Sequence, residues 1–106
     1  STTENIYQVK NIKINPDSFE VSCNGKTIRL GKKEFQILYT LLQNPKKIFT
    51  KEDLYETVWE APYLSGDNTL NAQLSNLRKK LAQVDESSEY IETIWGLGVR
   101  LKGDDS

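Results

Sequence analysis

Four leucines constrain this chain more than any other feature. Leu70, Leu74, Leu77 and Leu81 follow at spacings of four, three and four, which lays one apolar stripe along a helix. The spacing predicts a helix over Asp67–Ala82, with Asp67 as its N-cap. On a wheel of about 100° per residue, Asn68, Ala72, Ser75, Asn76 and Lys79 point away from the stripe. Asn71 and Arg78 sit on one shoulder, and Gln73 and Lys80 on the other.

The wet side of that helix has a particular chemistry. Surface helices ordinarily mix acids and bases there. From Asn68 through Ala82 there is no acid; amides or hydroxyls stand at 68, 71, 73, 75 and 76, and the end is basic at Arg78, Lys79 and Lys80. Amides and hydroxyls both donate and accept hydrogen bonds, which suits base edges, while cations suit phosphates. The pattern implies one helix offered to a DNA major groove.

Bulk charge argues the other way. The net charge is −1, from 14 basic and 15 acidic residues with no His, whereas nucleic-acid domains usually carry a basic excess. The distribution offsets this in part. Three cations and no acid lie between Asn68 and Val84, and the acids gather at Glu52, Asp53, Glu56 and Glu60 and again at Asp85, Glu86, Glu89 and Glu92. The expected affinity is moderate for each domain, with a second copy or a tethered partner adding to it.

The remaining chain supplies one domain's worth of elements in 106 residues. Ile12 to Ile14 alternates, Asn15 to Ser18 turns, and Phe19, Val21 and Cys23 alternate with polar residues. Asn24-Gly25 is a two-residue hairpin signal, Thr27 to Leu30 is the return strand, and Ile6 to Val9 offers one more at the edge. Gly31 breaks the strand. Phe35, Leu38, Leu41 and Leu42 then predict a helix over Lys32–Gln43, ended by Asn44-Pro45. Thr50 caps a second helix whose buried side is Leu54, Tyr55, Val58 and Trp59. A loop from Glu60 to Gly66 precedes the leucine helix. A polar turn, Asp85 to Glu89, leads to a strand over Tyr90–Trp95, a reversal at Gly96 and Gly98, and a return over Val99–Lys102. Sheet, three helices and terminal hairpin make an α+β winged helix-turn-helix. Ser1 to Asn5 reads as a linker end or a cloning remnant, 6–102 as the domain, and 103–106 as a flexible tail.

Enzyme chemistry finds no constellation. With no His and the single Cys23, there is neither a nucleophile–base pair nor a set of soft metal ligands. No cofactor site is expected. Cys23, in an alternating stretch, reads as a core thiol rather than a reactive one, and one cysteine leans towards a reducing compartment. No apolar run approaches the ~20 residues of a membrane span, and no signal peptide is visible. These observations lean towards a cytoplasmic protein.

Leu30 through Glu34-Phe35 and Leu38, Asn44-Pro45, Thr50 with Leu54, Val58-Trp59, Asp67-Asn68-Thr69-Leu70, Leu77-Arg78-Lys79-Lys80-Leu81, and Ile91 through Thr93-Ile94-Trp95-Gly96, Gly98 and Arg100 occur in one order at characteristic spacings. From about Ile6 to Lys102 the chain resembles the C-terminal DNA-binding effector domain of OmpR/PhoB-type two-component response regulators. The resemblance implies a four-stranded N-terminal antiparallel sheet, a three-helix core and a hairpin wing. It implies the third helix in the major groove, the wing at the adjacent minor groove, and a homodimer on direct repeats of double-stranded promoter DNA. It also implies a preceding receiver domain, a sensor kinase acting on that receiver, and contact with RNA polymerase through Glu60, Ala61, Pro62, Tyr63, Leu64, Ser65 and Gly66.

By position, the family's groove and phosphate contacts on the third helix fall on Asn68, Thr69, Asn71, Gln73, Ser75, Asn76 and Arg78, with Lys79 completing the usual basic pair; small Ala72 and Ser75 let the backbone sit deep. Relatives often carry His where Gln73 stands and basic residues where Ser75 and Asn76 stand. Asn and Gln pair bidentately with adenine, whereas Arg and Lys favour guanine, so these departures shift the expected preference towards A·T-containing sites. Lys46, Lys47 and Lys51 flank helix two, where relatives can meet phosphates; their plainer reading is a solvated surface. Arg78 and Lys79 also suit the helix dipole, and Lys80 can snorkel.

In the wing, Arg100 is the candidate for minor-groove or phosphate contact, with Gly96 and Gly98 leaving room for close approach. Trp95, where some relatives have Arg, packs in the core beside Trp59 or touches the DNA backbone near the minor groove. Val99 stands where an aromatic is commoner. A second function class stays open: a winged helix used for protein contact, as dimer partner or polymerase contact, with DNA binding weak or lost.

Overall fold

The period-two alternations of the first thirty residues become four antiparallel strands. The computed structural model describes residues 6–9, 11–64, 66, 68–86 and 89–102. The expectations for Ser1–Asn5, Ser65, the Asp67 cap and residues 103–106 lie outside these. Strands β1 (Tyr7–Val9), β2 (Ile12–Asn15), β3 (Glu20–Cys23) and β4 (Lys26–Arg29) form one sheet in chain order. Register pairs Ile14 with Val21 and Val21 with Ile28. That places Ile12, Ile14, Val21 and Cys23 on the core face while Lys13 and Glu20 face solvent. The β3–β4 turn is Asn24-Gly25 with φ of 52° and 84°, as the primed hairpin turn requires. Phe19 has left the strand at φ 60° and stacks on Phe35 instead.

Three helices follow: α1 (Lys32–Gln43), α2 (Lys51–Trp59) and α3 (Thr69–Val84). Gly31 caps α1, and the Glu34 carboxylate accepts the Gly31 N–H at 2.8 Å, the return half of a capping box. The Thr50 hydroxyl accepts the Asp53 N–H at 3.0 Å. In place of the expected Asp67–Ala82, α3 begins after Asn68, whose side chain makes no cap bond, and runs on to Val84. It runs further because the stripe itself continues: Val84, three residues past Leu81, is buried with the four leucines.

The chain ends in the hairpin of β5 (Ile91–Ile94) and β6 (Gly98–Leu101), each shifted from the expected bounds. Ile91, Val99 and Leu101 turn inward, while Glu92 pairs with Arg100 on the opposite face. Phe49 and Val99 exchange two backbone hydrogen bonds of 2.8 Å, so the residue before the Thr50 cap becomes a third short partner of the wing. Gly98 makes this approach geometrically feasible. Its φ is +146°, and a Cβ there would lie 2.0 Å from the Phe49 carbonyl oxygen.

Asp85 departs from the polar turn expected over 85–89. It is buried, and its carboxylate accepts the Tyr90 hydroxyl at 2.5 Å and the Asn11 amide at 3.1 Å. Turn, helix end and wing base are thereby joined. Burial, reinforced by Asp85, raises the Tyr90 phenol well above its ordinary value.

Candidate nucleic-acid interface

With its leucines sunk in the core, α3 exposes Asn68, Thr69, Asn71, Ala72, Ser75, Asn76, Arg78 and Lys79, and half-exposes Gln73. The two shoulders of the wheel meet different neighbours. On one side the Lys80 ammonium lies 2.7 Å from Glu34 Oε1, joining α3 to the start of α1. Lys80 is thus more than a snorkelling side chain. It neutralises a carboxylate with only 6% of its side chain exposed, which is costly to bury alone.

The other shoulder faces the wing. The Arg78 guanidinium donates to the Thr93 hydroxyl on β5. Asn71, Ser75, Arg78, Lys79, Thr93 and Lys51 line one open cleft, together with Leu74 and Val99. No acid lines it. The cleft therefore gathers three cations, an amide and two hydroxyls between the recognition face and the hairpin. Thr93 is the residue that pattern reading missed. A lone threonine in a strand carries no signal until α3 packs beside it.

Other expected positions are placed elsewhere. Arg100 lies on the hairpin face turned from α3, where its Nε donates to Glu92 at 2.9 Å. Gly98 makes its close approach to Phe49. Trp95 is 95% exposed in the hairpin turn, which removes the core-packing reading. Trp59 instead stacks on Tyr55 at 4.7 Å, with the Lys33 ammonium 5.4 Å from its ring centre. Lys33 also donates to the Val58 carbonyl. Lys46 and Lys47 are exposed outside the cleft, Lys47 lying over Phe49 at 4.7 Å.

Between α2 and α3, Glu60 takes the left-handed conformation at φ 55°, and Tyr63 donates its N–H to Glu56 and meets Tyr55 edge-on. Ala61, Pro62, Leu64 and Gly66 are exposed. Among the described residues there is no cluster of metal-ligating side chains, and no helix is long and apolar enough to cross a membrane. Cys23 is a free, buried thiol.

Comparison with known proteins identifies the architecture. Residues 25–101 match the family described as "Transcriptional regulatory protein, C terminal". The heme response regulator HssR of Staphylococcus epidermidis is 37% identical over 98 residues, 92% of this chain and 43% of that protein. Among solved structures, the response regulator DrrB, a Thermotoga maritima OmpR/PhoB homolog, is 35% identical with a TM-score of 0.66, covering 92% of this chain and 44% of that one. The DNA-binding domain of response regulator AdeR, solved in complex with an intercistronic region, is 26% identical with a TM-score of 0.75, covering 92% and 100%. The chain spans less than half the length of the curated relatives it matches. It belongs to the family of transcriptional regulatory protein C-terminal domains, as an effector domain of the OmpR/PhoB type.

Proposed function

We propose that residues 6–102 bind double-stranded promoter DNA sequence-specifically, with α3 in the major groove and the wing at the adjacent minor groove. One observation carries the reading: the acid-free amide and hydroxyl face of α3 continues without a break into the cleft of Lys51, Arg78, Lys79 and Thr93. Asn68, Thr69, Asn71, Ala72, Gln73, Ser75 and Asn76 face base edges or the groove wall. The cations and Thr93 take the phosphate strand beside them, which fixes register without reading sequence. AdeR, a similar domain solved with an intercistronic region, supports the assignment.

Lys51, inside the cleft, is a stronger phosphate candidate than Lys46 or Lys47. Arg100 must exchange Glu92 for phosphate to take part, so its contribution is secondary. By analogy with its relatives, the domain works in the cytoplasm as the output end of a longer regulator, binding as a homodimer on direct repeats. A receiver domain acted on by a sensor kinase controls it, and the 60–66 loop meets RNA polymerase. Exposed Leu64 on that loop favours a protein contact there in addition to DNA binding.

The test is a titration of labelled promoter duplex at low and moderate salt with scrambled duplex alongside. Selective binding that weakens steeply with salt is expected. Equal, weak binding to both duplexes would leave the protein-contact function in its place. Selection from random DNA should return adenine at helix-contacted positions, and G-rich sites without adenine bias would refute the Asn and Gln assignment.

A further inference from the structure

The wing tip is the part of this surface that charge does not explain. Trp95 is 95% exposed and Leu97 59%, and no residue from Thr93 to Val99 is charged. Contiguous exposed apolar surface marks contact sites, and these two side chains stand two positions apart on one hairpin turn. At the turn itself, a Cβ on Gly96 would meet no atom within 4 Å beyond its chain neighbours. The tip is continuous with the proposed DNA surface. Lys51 and Thr93 line the cleft beside α3 and also the cleft under Trp95 and Leu97, where the acid Glu52 joins them.

The order across the surface is base-reading helix, cation and hydroxyl seam, apolar tip. Duplex DNA has the same order: a major groove, a phosphate strand, then the neighbouring minor groove. The chemistry of Trp95 selects within that minor groove. Its indole N–H donates and cannot accept. A·T and T·A pairs present only acceptors there, whereas G·C adds the guanine amino donor, which opposes the indole N–H and fills the groove floor.

We propose that Trp95, flanked by Leu97, enters the minor groove as an uncharged blade that favours pairs lacking a minor-groove amino group. This rests on α3 lying in the adjacent major groove. Because an indole releases no counterion, the blade adds affinity that salt does not screen. It can also unstack a base step in the manner of other apolar wedges.

The test uses anisotropy titrations of a bound duplex and its analogues, with wild-type, Trp95→Ala, Trp95→Phe and Trp95→Arg chains. Replacing flanking adenine by 2,6-diaminopurine adds the amino group to an A·T pair. It should weaken wild type about fivefold or more and leave Trp95→Ala almost unaffected. Replacing flanking guanine by inosine removes that group and should strengthen wild type. Trp95→Ala should bind more weakly at an unchanged salt slope, and Trp95→Arg should steepen the slope by about 0.9. Trp95→Phe, which keeps the ring but loses the donor, should keep affinity better than alanine while losing discrimination.

Equal affinity of Trp95→Ala and wild type, or equal sensitivity of both to diaminopurine, overturns the blade while DNA binding by α3 stands. Single-site binding unchanged in Trp95→Ala but paired occupancy of a tandem site lost would assign the tip to contact between copies, and also overturns it. Absence of selective binding by wild type overturns the α3 reading and the blade together.

Discussion

Gly98→Ala tests the joint between wing and body most sharply. A Cβ at Gly98 would stand 2.0 Å from the Phe49 oxygen, 2.7 Å from its carbonyl carbon and 3.0 Å from Thr50 Cα. All three are backbone atoms, so no rotamer change relieves the clash. The φ of +146° is itself unfavourable for alanine. The hairpin must therefore withdraw from residues 49–50. This breaks the two Phe49–Val99 hydrogen bonds, each contributing about 0.5–1.5 kcal/mol, and loosens the packing of Phe49 and Val99, now 3% and 1% exposed. With the strain included, a loss of about 2–4 kcal/mol is expected. In a domain of this size that lowers the melting temperature by roughly 10 °C or more.

Gly96→Ala is the matched comparison. Its φ is +79°, but the added carbon meets nothing outside the turn, so only the conformational cost of about 1 kcal/mol applies. Urea titrations of both variants, followed by far-UV dichroism, read the difference. Equal midpoints for the two, or a Gly98→Ala midpoint at the wild-type value, would show that the approach to Phe49 is not the reason glycine stands there.

Three shorter predictions follow from the same geometry. Arg78→Ala should weaken DNA binding and reduce the salt slope by about 0.9, whereas Lys80→Ala, which strands Glu34, should cost about 1–3 kcal/mol of stability with the slope intact; a slope change in the lysine variant would contradict the division of the two shoulders. Tyr90 has a folded-state pKa above its ordinary value of 10.0, so its contribution is fully present below that pH and is lost as pH rises towards the folded value. Chemical denaturation across this alkaline range should show a decline that Tyr90→Phe flattens, and an identical decline in both proteins would remove Tyr90 as its source. Asn76→Arg should move the selected base at its position from adenine towards guanine, and an unchanged site would take Asn76 off the base-reading list.

Local periodicity made much of the fold legible. The bounds of α1, the Thr50 cap and the Asn24-Gly25 turn are set by side-chain spacing and backbone preference within a few residues, so they appear in the sequence and again in the structure. The recognition face was legible for the same reason, because burying one stripe of α3 dictates what remains outside. Its two shoulders could be named from the wheel, but not what each would touch.

Those partners are remote along the chain. Glu34 and Lys80 are 46 residues apart and Asn11 and Asp85 are 74 apart. Asp85 read as a turn residue because acids usually stay wet, and it is buried because Tyr90 and Asn11 replace water around it. Arg100 had no partner visible in the sequence, and strand register sets Glu92 beside it. Trp95 read equally well as core or contact, since composition does not say which way a hairpin turn points. The chain alone thus determined its helices, its turns and the polar side of α3, all governed by interactions over one or two turns of backbone. Only tertiary packing decided which charges are neutralised, which hydroxyl joins the cations and which aromatic is left in water, because those outcomes depend on distances that local periodicity does not encode.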